Sequence, residues 1–108
     1  MRCAATAYST VFNTVDIFHA TSGTWSTAAL SAARMHLVAT SLPNQGLAIF
    51  AGGYIWTSSG TDYFKTVDIF DATSGTWSTA ALSVARDSLE ATSLPNQGLA
   101  LFAGGQSA

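Results

Sequence analysis

The sequence predicts an all-β fold built from antiparallel four-stranded units, and three observations support this prediction. Residues 12–53 (repeat 1) recur as residues 64–105 (repeat 2), 52 positions later, and the two 42-residue copies differ at seven positions. Both repeats alternate short runs of β-branched and aromatic residues with turns that contain Gly or Pro, which is typical of strands joined by tight turns. The last strand of each repeat is apolar at consecutive positions, which indicates a sheet covered on both faces.

Each repeat is predicted to hold four strands in two hairpins. In repeat 1 the predicted strands are residues 14–18, 24–27, 37–42 and 47–51. The first hairpin closes through a turn that contains Gly23, where Gly adopts a positive φ without steric cost. The second closes through Pro43-Asn44-Gln45-Gly46, in which Pro lacks a backbone donor and Asn and Gly tolerate a positive φ.

The stretches between these strands are predicted to be connections. Residues 28–34 contain helix-favouring alanines, but a helix of about seven residues is marginal in water, so a surface linker is expected there. Residues 1–11 and residues 54–63 occupy equivalent positions relative to the two repeats. Both are expected to connect strands, with room for short strand extensions.

Composition excludes several classes of protein. Hydrophobic residues make up 48% of the chain and charged residues 9%, which is too apolar for a disordered segment. A net charge of −2 and four scattered basic residues argue against a nucleic-acid surface. No apolar run approaches the ~18 residues of a membrane span, and the first residues lack the apolar core of a signal peptide. The compartment stays open, because a charge-poor, Ser/Thr-rich chain is also compatible with a secreted or surface protein.

A sheet that is covered on both faces needs neighbouring sheets on both sides. Four-stranded antiparallel units achieve this when they stack side by side around an axis, which is the architecture of a β-propeller.

The repeats also resemble kelch repeats at several positions. In that family an apolar strand ends in a Gly pair and is followed by an aromatic residue and a Trp with six residues between them, and many repeats carry an Arg before the first strand. The matching residues here are Gly52, Gly53, Gly104, Gly105, Phe18, Trp25, Phe70, Trp77, Arg34 and Arg86. Phe stands where the family usually has Tyr. The family period of about 50 residues is close to the 52 found here.

The resemblance implies kelch-type β-propeller blades, with residues 1–108 as a single kelch-repeat segment. In kelch blade order the chain holds one complete blade, about residues 31–80, flanked by two half-blades. These are an outer half-blade at about residues 12–27 and an inner half-blade at about residues 84–105. Propellers need about four or more blades. The remaining blades are therefore expected either from a longer parent chain or from a homo-oligomer, a trimer or tetramer closed through head-to-tail contacts.

The motif residues are predicted to have structural roles. Trp25 and Trp77 are expected to pack between blades, and the Gly pairs to permit close backbone approach between blades. Arg34 and Arg86 are expected to bond carbonyls or a carboxylate between blades, with ligand contact near the axis as the alternative.

The differences between the repeats suggest where a partner binds. Five of the seven differing positions fall at or near one face of the predicted blades, whereas both hairpin turns are identical. The aromatics of the connection 54–63 are predicted to open on the same face, and aromatics are enriched at interfaces. The predicted partner-binding residues are Met35, His36, Tyr54, Trp56, Tyr63, Asp87 and Glu90.

These patterns favour a non-catalytic protein-interaction scaffold with no cofactor. No catalytic, cofactor-binding or metal-ligating set is predicted, because His19 and His36 lack metal-ligand spacing. Two alternatives stay open. The resemblance also admits a fragment of a propeller enzyme, a copper oxidase or a sugar-processing enzyme, although Cys3, Tyr8 and the histidines do not assemble the copper ligands of that family. The composition admits a secreted or surface carbohydrate-binding or adhesive repeat protein.

Overall fold

The computed structural model describes residues 10–107, which form an all-β structure of ten strands with no α-helix within that range. Residues 1–9 and 108 are outside this range, so Cys3, Tyr8 and most of the predicted connection 1–11 lie outside the described residues. The strands are β1 (Thr14–His19), β2 (Thr24–Ala29), β3 (Val38–Leu42), β4 (Leu47–Ala51), β5 (Tyr54–Thr57), β6 (Gly60–Tyr63), β7 (Thr66–Asp71), β8 (Thr76–Ala81), β9 (Glu90–Leu94) and β10 (Leu99–Ala103).

The predicted antiparallel four-stranded sheet is confirmed. Its strand order is β3-β4-β7-β8, so the second hairpin of repeat 1 pairs with the first hairpin of repeat 2. The register places Ile49 opposite Ile69 and Phe50 opposite Asp68. The remaining hairpins of the repeats, β1–β2 and β9–β10, are separate two-stranded sheets.

The turn between β3 and β4 follows from its local sequence. Residues Pro43–Gln45 form one turn of 3-10 helix, and the N–H of Gly46 donates to the Pro43 carbonyl at 3.2 Å. Gly46 has a φ of 71°, in the left-handed region that Gly tolerates best. The identical sequence at Pro95–Gln97 gives the same turn in repeat 2.

Residues 54–63 form a hairpin of their own, β5–β6, that pairs with neither repeat's sheet. Its tight turn is held by the Thr57 hydroxyl, which accepts the N–H of Ser59 at 3.3 Å and donates to the Gly60 carbonyl at 3.0 Å. Gly60 adopts a φ of 132°. The predicted connection at residues 54–63 therefore consists of two short strands joined by a tight turn.

The hydrophobic core lies between the four-stranded sheet and the β9–β10 hairpin. Leu42, Ile49, Ala51 and Val67 are its buried residues, and Ala100 and Phe102 of β10 pack against them. Strands β3 and β9, the equivalent strands of the two repeats, lie next to each other.

The predicted surface linker at residues 28–34 was wrong in part, because Ala28 and Ala29 belong to β2 and two further residues are not on the surface. Leu30 and Arg34 are buried. Arg34 is drawn inward because Asp68, far away in sequence, lies on β7: Arg34 Nη1 donates to Asp68 Oδ2 at 2.9 Å, with both side chains almost fully shielded from solvent. Arg34 Nε donates to the Gly52 carbonyl at 2.7 Å.

These Arg34 contacts also correct the expectation that this residue bonds between neighbouring sheets. Asp68 and Phe50, whose carbonyl accepts from Arg34 Nη2 at 3.4 Å, both belong to the four-stranded sheet that begins just after Arg34. The Phe64 ring covers the guanidinium at 5.7 Å. Arg34 therefore ties the start of β3 to the two central strands of its own sheet.

The Gly pair after β4 provides the close approach between repeats. The Gly53 N–H donates to the Arg86 carbonyl at 3.0 Å. A Cβ on Gly52 would lie 2.6 Å from the same carbonyl oxygen, and one on Gly53 would lie 2.5 Å from the Met35 carbonyl oxygen. Gly105, the counterpart of Gly53, is equally close to the Asp87 carbonyl, but within the described part of the chain nothing lies within 4 Å of a Cβ on Gly104.

The motif aromatics form cross-strand pairs with nearly the same geometry in both repeats. Phe18 and Trp25 have ring centroids 5.1 Å apart, as do Phe70 and Trp77. Trp77 additionally lies 6.1 Å from Phe50 of β4. The two pairs differ in surroundings, since Phe70 and Trp77 are half-buried whereas Phe18 and Trp25 are exposed.

Candidate partner-binding face

A backbone bridge joins the loop before β3 to the β5–β6 hairpin. The Met35 N–H donates to the Tyr54 carbonyl at 2.7 Å, and the Tyr54 N–H donates to the Met35 carbonyl at 2.9 Å. The bridge brings the His36 ring to 5.3 Å from the Tyr54 ring. Tyr63, opposite Tyr54 in the hairpin, has its ring 6.0 Å away on β6. His36, Tyr54 and Tyr63 therefore form one aromatic cluster.

Repeat 2 builds the same bridge with different side chains. The Asp87 N–H donates to the Gln106 carbonyl at 2.9 Å, and the Gln106 N–H donates to the Asp87 carbonyl at 3.0 Å. The two loops meet where the Ser88 N–H donates to the His36 carbonyl at 3.4 Å. The sequence prediction omitted Gln106, although the 52-residue offset aligns it with Tyr54.

The predicted partner-binding residues divide by exposure. Met35, Tyr54 and Asp87 are buried, so they support the face from beneath. His36, Trp56 and Tyr63 are half-buried, and Glu90 is exposed. The solvent-accessible members of the set are thus aromatic or imidazole rings in and after repeat 1 and the Glu90 carboxylate in repeat 2.

One buried carboxylate oxygen stands out beneath this face. Asp87 Oδ2 accepts a hydrogen bond from the Ser88 hydroxyl at 3.0 Å. Asp87 Oδ1 is buried with no hydrogen-bond partner among the described residues. Met35 occupies the equivalent position in repeat 1, so the two halves of the face rest on chemically different supports.

The loops of this face have a strained backbone at one equivalent position in each repeat. His36 has a φ of 55° and Ser88 a φ of 58°. They are the only non-Gly residues with positive φ in the part of the chain that the structure describes. Such conformations cost free energy and cluster at binding and active sites.

We expect the strain at His36 to reverse the usual ranking of Ala and Gly. A left-handed conformation costs an L-residue about 1–2 kcal/mol, whereas Gly costs about 0.5–1 kcal/mol in chain entropy. His36→Gly should therefore be more stable than His36→Ala by about 0.5–1 kcal/mol, as measured by urea unfolding. As a control, Ala39→Gly in β3 should lose about 0.5–1 kcal/mol. Equal or reversed stabilities of the two His36 variants would contradict the left-handed backbone.

One apolar cleft lies beside β1. It has a volume of about 280 Å³ and lies between β1 and strands β4, β7 and β8 of the four-stranded sheet. Its walls include Ile17, Phe18, Phe50 and Trp77, and Asp16 is the one ionisable residue among the described residues that line it. The sequence patterns did not predict this cleft, because it depends on how two hairpins distant in sequence lie against each other.

Within residues 10–107 no group of three or more His, Cys, Asp or Glu side chains is arranged to hold a metal ion. His19 instead hydrogen-bonds the Ser26 hydroxyl at 2.8 Å. In the same range no helix is long and apolar enough to cross a membrane.

No protein-family model matches the chain, and no curated protein matches it.

Proposed function

We propose that this chain is a segment of a kelch-type β-propeller that acts as a non-catalytic protein-interaction scaffold. One observation carries the proposal: the two repeats build the same backbone bridge but carry different side chains on it. The two hydrogen bonds of the bridge measure 2.7 and 2.9 Å in repeat 1 and 2.9 and 3.0 Å in repeat 2. A constant framework that carries varied side chains is what a recognition surface requires.

The chemistry of the face indicates the kind of partner. Aromatic side chains supply much of the binding energy at protein interfaces when they are surrounded by contacts that exclude water. His36, Trp56 and Tyr63 offer such rings, and Glu90 adds an exposed carboxylate. A protein segment that carries apolar side chains next to a Lys or Arg would complement both parts.

A displayed peptide library provides the test. Peptides selected on the immobilised chain are expected to contain apolar and basic residues. Trp56→Ala should weaken their binding by about tenfold or more, as expected for an interfacial aromatic anchor, and Glu90→Gln should weaken it less, because rim charges contribute little. Affinities are measured by calorimetry or fluorescence anisotropy.

The hairpin turns offer a matched control. Asn44 and Asn96 lie at the opposite ends of β3 and β9 from His36 and Ser88, and their side chains bond each other at 2.9 Å. Asn44→Ala should leave peptide affinity unchanged. Peptides that respond to Asn44→Ala but not to Trp56→Ala, or a library that yields no binder while a glycan array does, would contradict the proposal.

A further inference from the structure

Both ends of the described chain leave a strand with a free edge. Strand β1 pairs only with β2, and β10 pairs only with β9. Their counterparts in the four-stranded sheet, β7 and β4, pair with each other. Strand β10 thus lacks a partner equivalent to β7, and β1, at the other end of the described chain, is a copy of β7.

The charges at these two edges are complementary. In the four-stranded sheet the buried Arg34 pairs with Asp68 at 2.9 Å. Arg86, the counterpart of Arg34, donates through Nη2 to the Phe102 carbonyl at 3.2 Å, as Arg34 does to the Phe50 carbonyl, but Arg86 has no ion-pair partner among the described residues. Asp16, the counterpart of Asp68, is exposed on β1. One edge therefore lacks a carboxylate, and the other presents one.

The apolar side chains at the two free edges are also more exposed to solvent than their counterparts in the four-stranded sheet. Ile49 on β4 is 6% exposed, whereas its counterpart Leu101 on β10 is 46% exposed. At the other edge Phe18 is 53% and Trp25 is 68% exposed. Phe70 and Trp77, the counterparts of Phe18 and Trp25 in the four-stranded sheet, are half-buried.

The Gly pairs mark where a neighbour would approach. A Cβ on Gly52 would lie 2.6 Å from the Arg86 carbonyl oxygen, whereas no atom of residues 10–107 lies within 4 Å of one on Gly104. Gly104 nonetheless has the same left-handed conformation, with a φ of 77° against 74° at Gly52. The backbone after β10 is shaped for a neighbouring loop equivalent to that of Arg86.

We propose that β10 pairs with β1 of a second copy of this chain. The register follows from the β4–β7 pairing, in which Ile49 faces Ile69 and Phe50 faces Asp68. Leu101 then faces Ile17 of the second copy and Phe102 faces Asp16 of the second copy. Arg86 binds that Asp16, and Gly104 receives the loop that holds the second copy's Arg34.

A second copy fits better than an unrelated strand because the whole set of contacts recurs. Backbone pairing alone would accept many strands, but an aligned carboxylate for Arg86 and apolar partners for Leu101 select the β1 sequence. The contact is head-to-tail, so it repeats until the rotation closes a ring. Three or four copies supply six or eight repeats, within the roughly four to eight units of known propellers.

The first experiment is the solution mass of the whole chain, measured by light scattering after size exclusion and by native mass spectrometry. A discrete species of three or four times the 11.2 kDa chain is expected. A monomer over the whole concentration range, or an open ladder of sizes, would overturn the proposal.

Two variants test the register. Asp16→Lys damages only the β1 edge, and Arg86→Met damages only the β10 edge. Each variant alone should be monomeric, with a strand-type circular dichroism spectrum to show that it is folded. Mixed in equal amounts they should form a heterodimer, because the intact Arg86 of the first meets the intact Asp16 of the second.

A charge change away from both edges is the control. Asp62→Lys, on the exposed part of β6, should leave the mass unchanged. If Asp16→Lys retains the wild-type mass, or if the mixture of the two edge variants stays monomeric although both are folded, the proposed pairing is wrong.

Discussion

Asp68→Asn is expected to lower the free energy of unfolding by about 3–5 kcal/mol, because removing one partner of a buried ion pair leaves the other charge buried and uncompensated. The side chains of Arg34 and Asp68 are 0% and 3% exposed. Asp68 Oδ2 also accepts the Ser31 hydroxyl at 3.1 Å, so the substitution disturbs a small network. Urea unfolding followed by Trp fluorescence measures the loss.

Asp16→Asn is the matched control for this prediction. Asp16 occupies the same place in the same local sequence, but it is exposed. At concentrations at which the chain is monomeric, the substitution should change stability by less than about 0.5 kcal/mol, as for most surface positions. A loss below about 1 kcal/mol for Asp68→Asn, the range of exposed pairs, would mean that water reaches the Arg34–Asp68 pair.

Gly52→Ala is expected to cost about 2–5 kcal/mol, from two causes. A left-handed φ costs an Ala about 1–2 kcal/mol, and forcing an additional methyl group into a packed site costs about 1–3 kcal/mol. The methyl group would meet the Arg86 carbonyl oxygen at 2.6 Å. Because Gly53 donates to that same carbonyl, relief of the clash would break the junction between the repeats.

Gly104→Ala separates the two causes. Gly104 has nearly the same φ as Gly52, but a Cβ there meets none of the described residues within 4 Å. The monomer should therefore lose only the conformational cost of about 1–2 kcal/mol. If urea unfolding shows equal losses of stability for Gly52→Ala and Gly104→Ala, the Arg86 carbonyl does not pack tightly against Gly52.

Local features of the fold were predictable from short stretches of sequence. The Pro43–Gly46 turn forms because Pro begins a 3-10 turn and Gly ends it with a positive φ, and both preferences belong to the residues themselves. The hairpin joining β7 to β8 forms for the same kind of reason, with Gly75 at a φ of 70°. The four-stranded sheet was predictable through the resemblance to kelch repeats, whose blade order joins the second hairpin of one repeat to the first hairpin of the next.

The candidate face was predictable only in part. The differences between the repeats pointed to His36 and Glu90, which the structure leaves half-buried and exposed respectively. Neither those differences nor the aromatics of the connection 54–63 separated these two residues from Met35 and Tyr54, which are buried. That separation depends on the bridge between the loop before β3 and β5, a contact between segments that no local pattern relates.

Strands β1 and β7 show which features the local sequence determines and which it does not. Both contain Thr-Val-Asp-Ile-Phe, and that sequence by itself determined that each is a strand paired with the hairpin strand that follows. Tertiary structure alone decided that Asp68 is buried against Arg34 while Asp16 is exposed. The physical reason is that strand formation depends on neighbouring residues, whereas burial depends on which other strand comes to lie alongside: β4 covers the edge of β7, and within the described chain nothing covers the edge of β1.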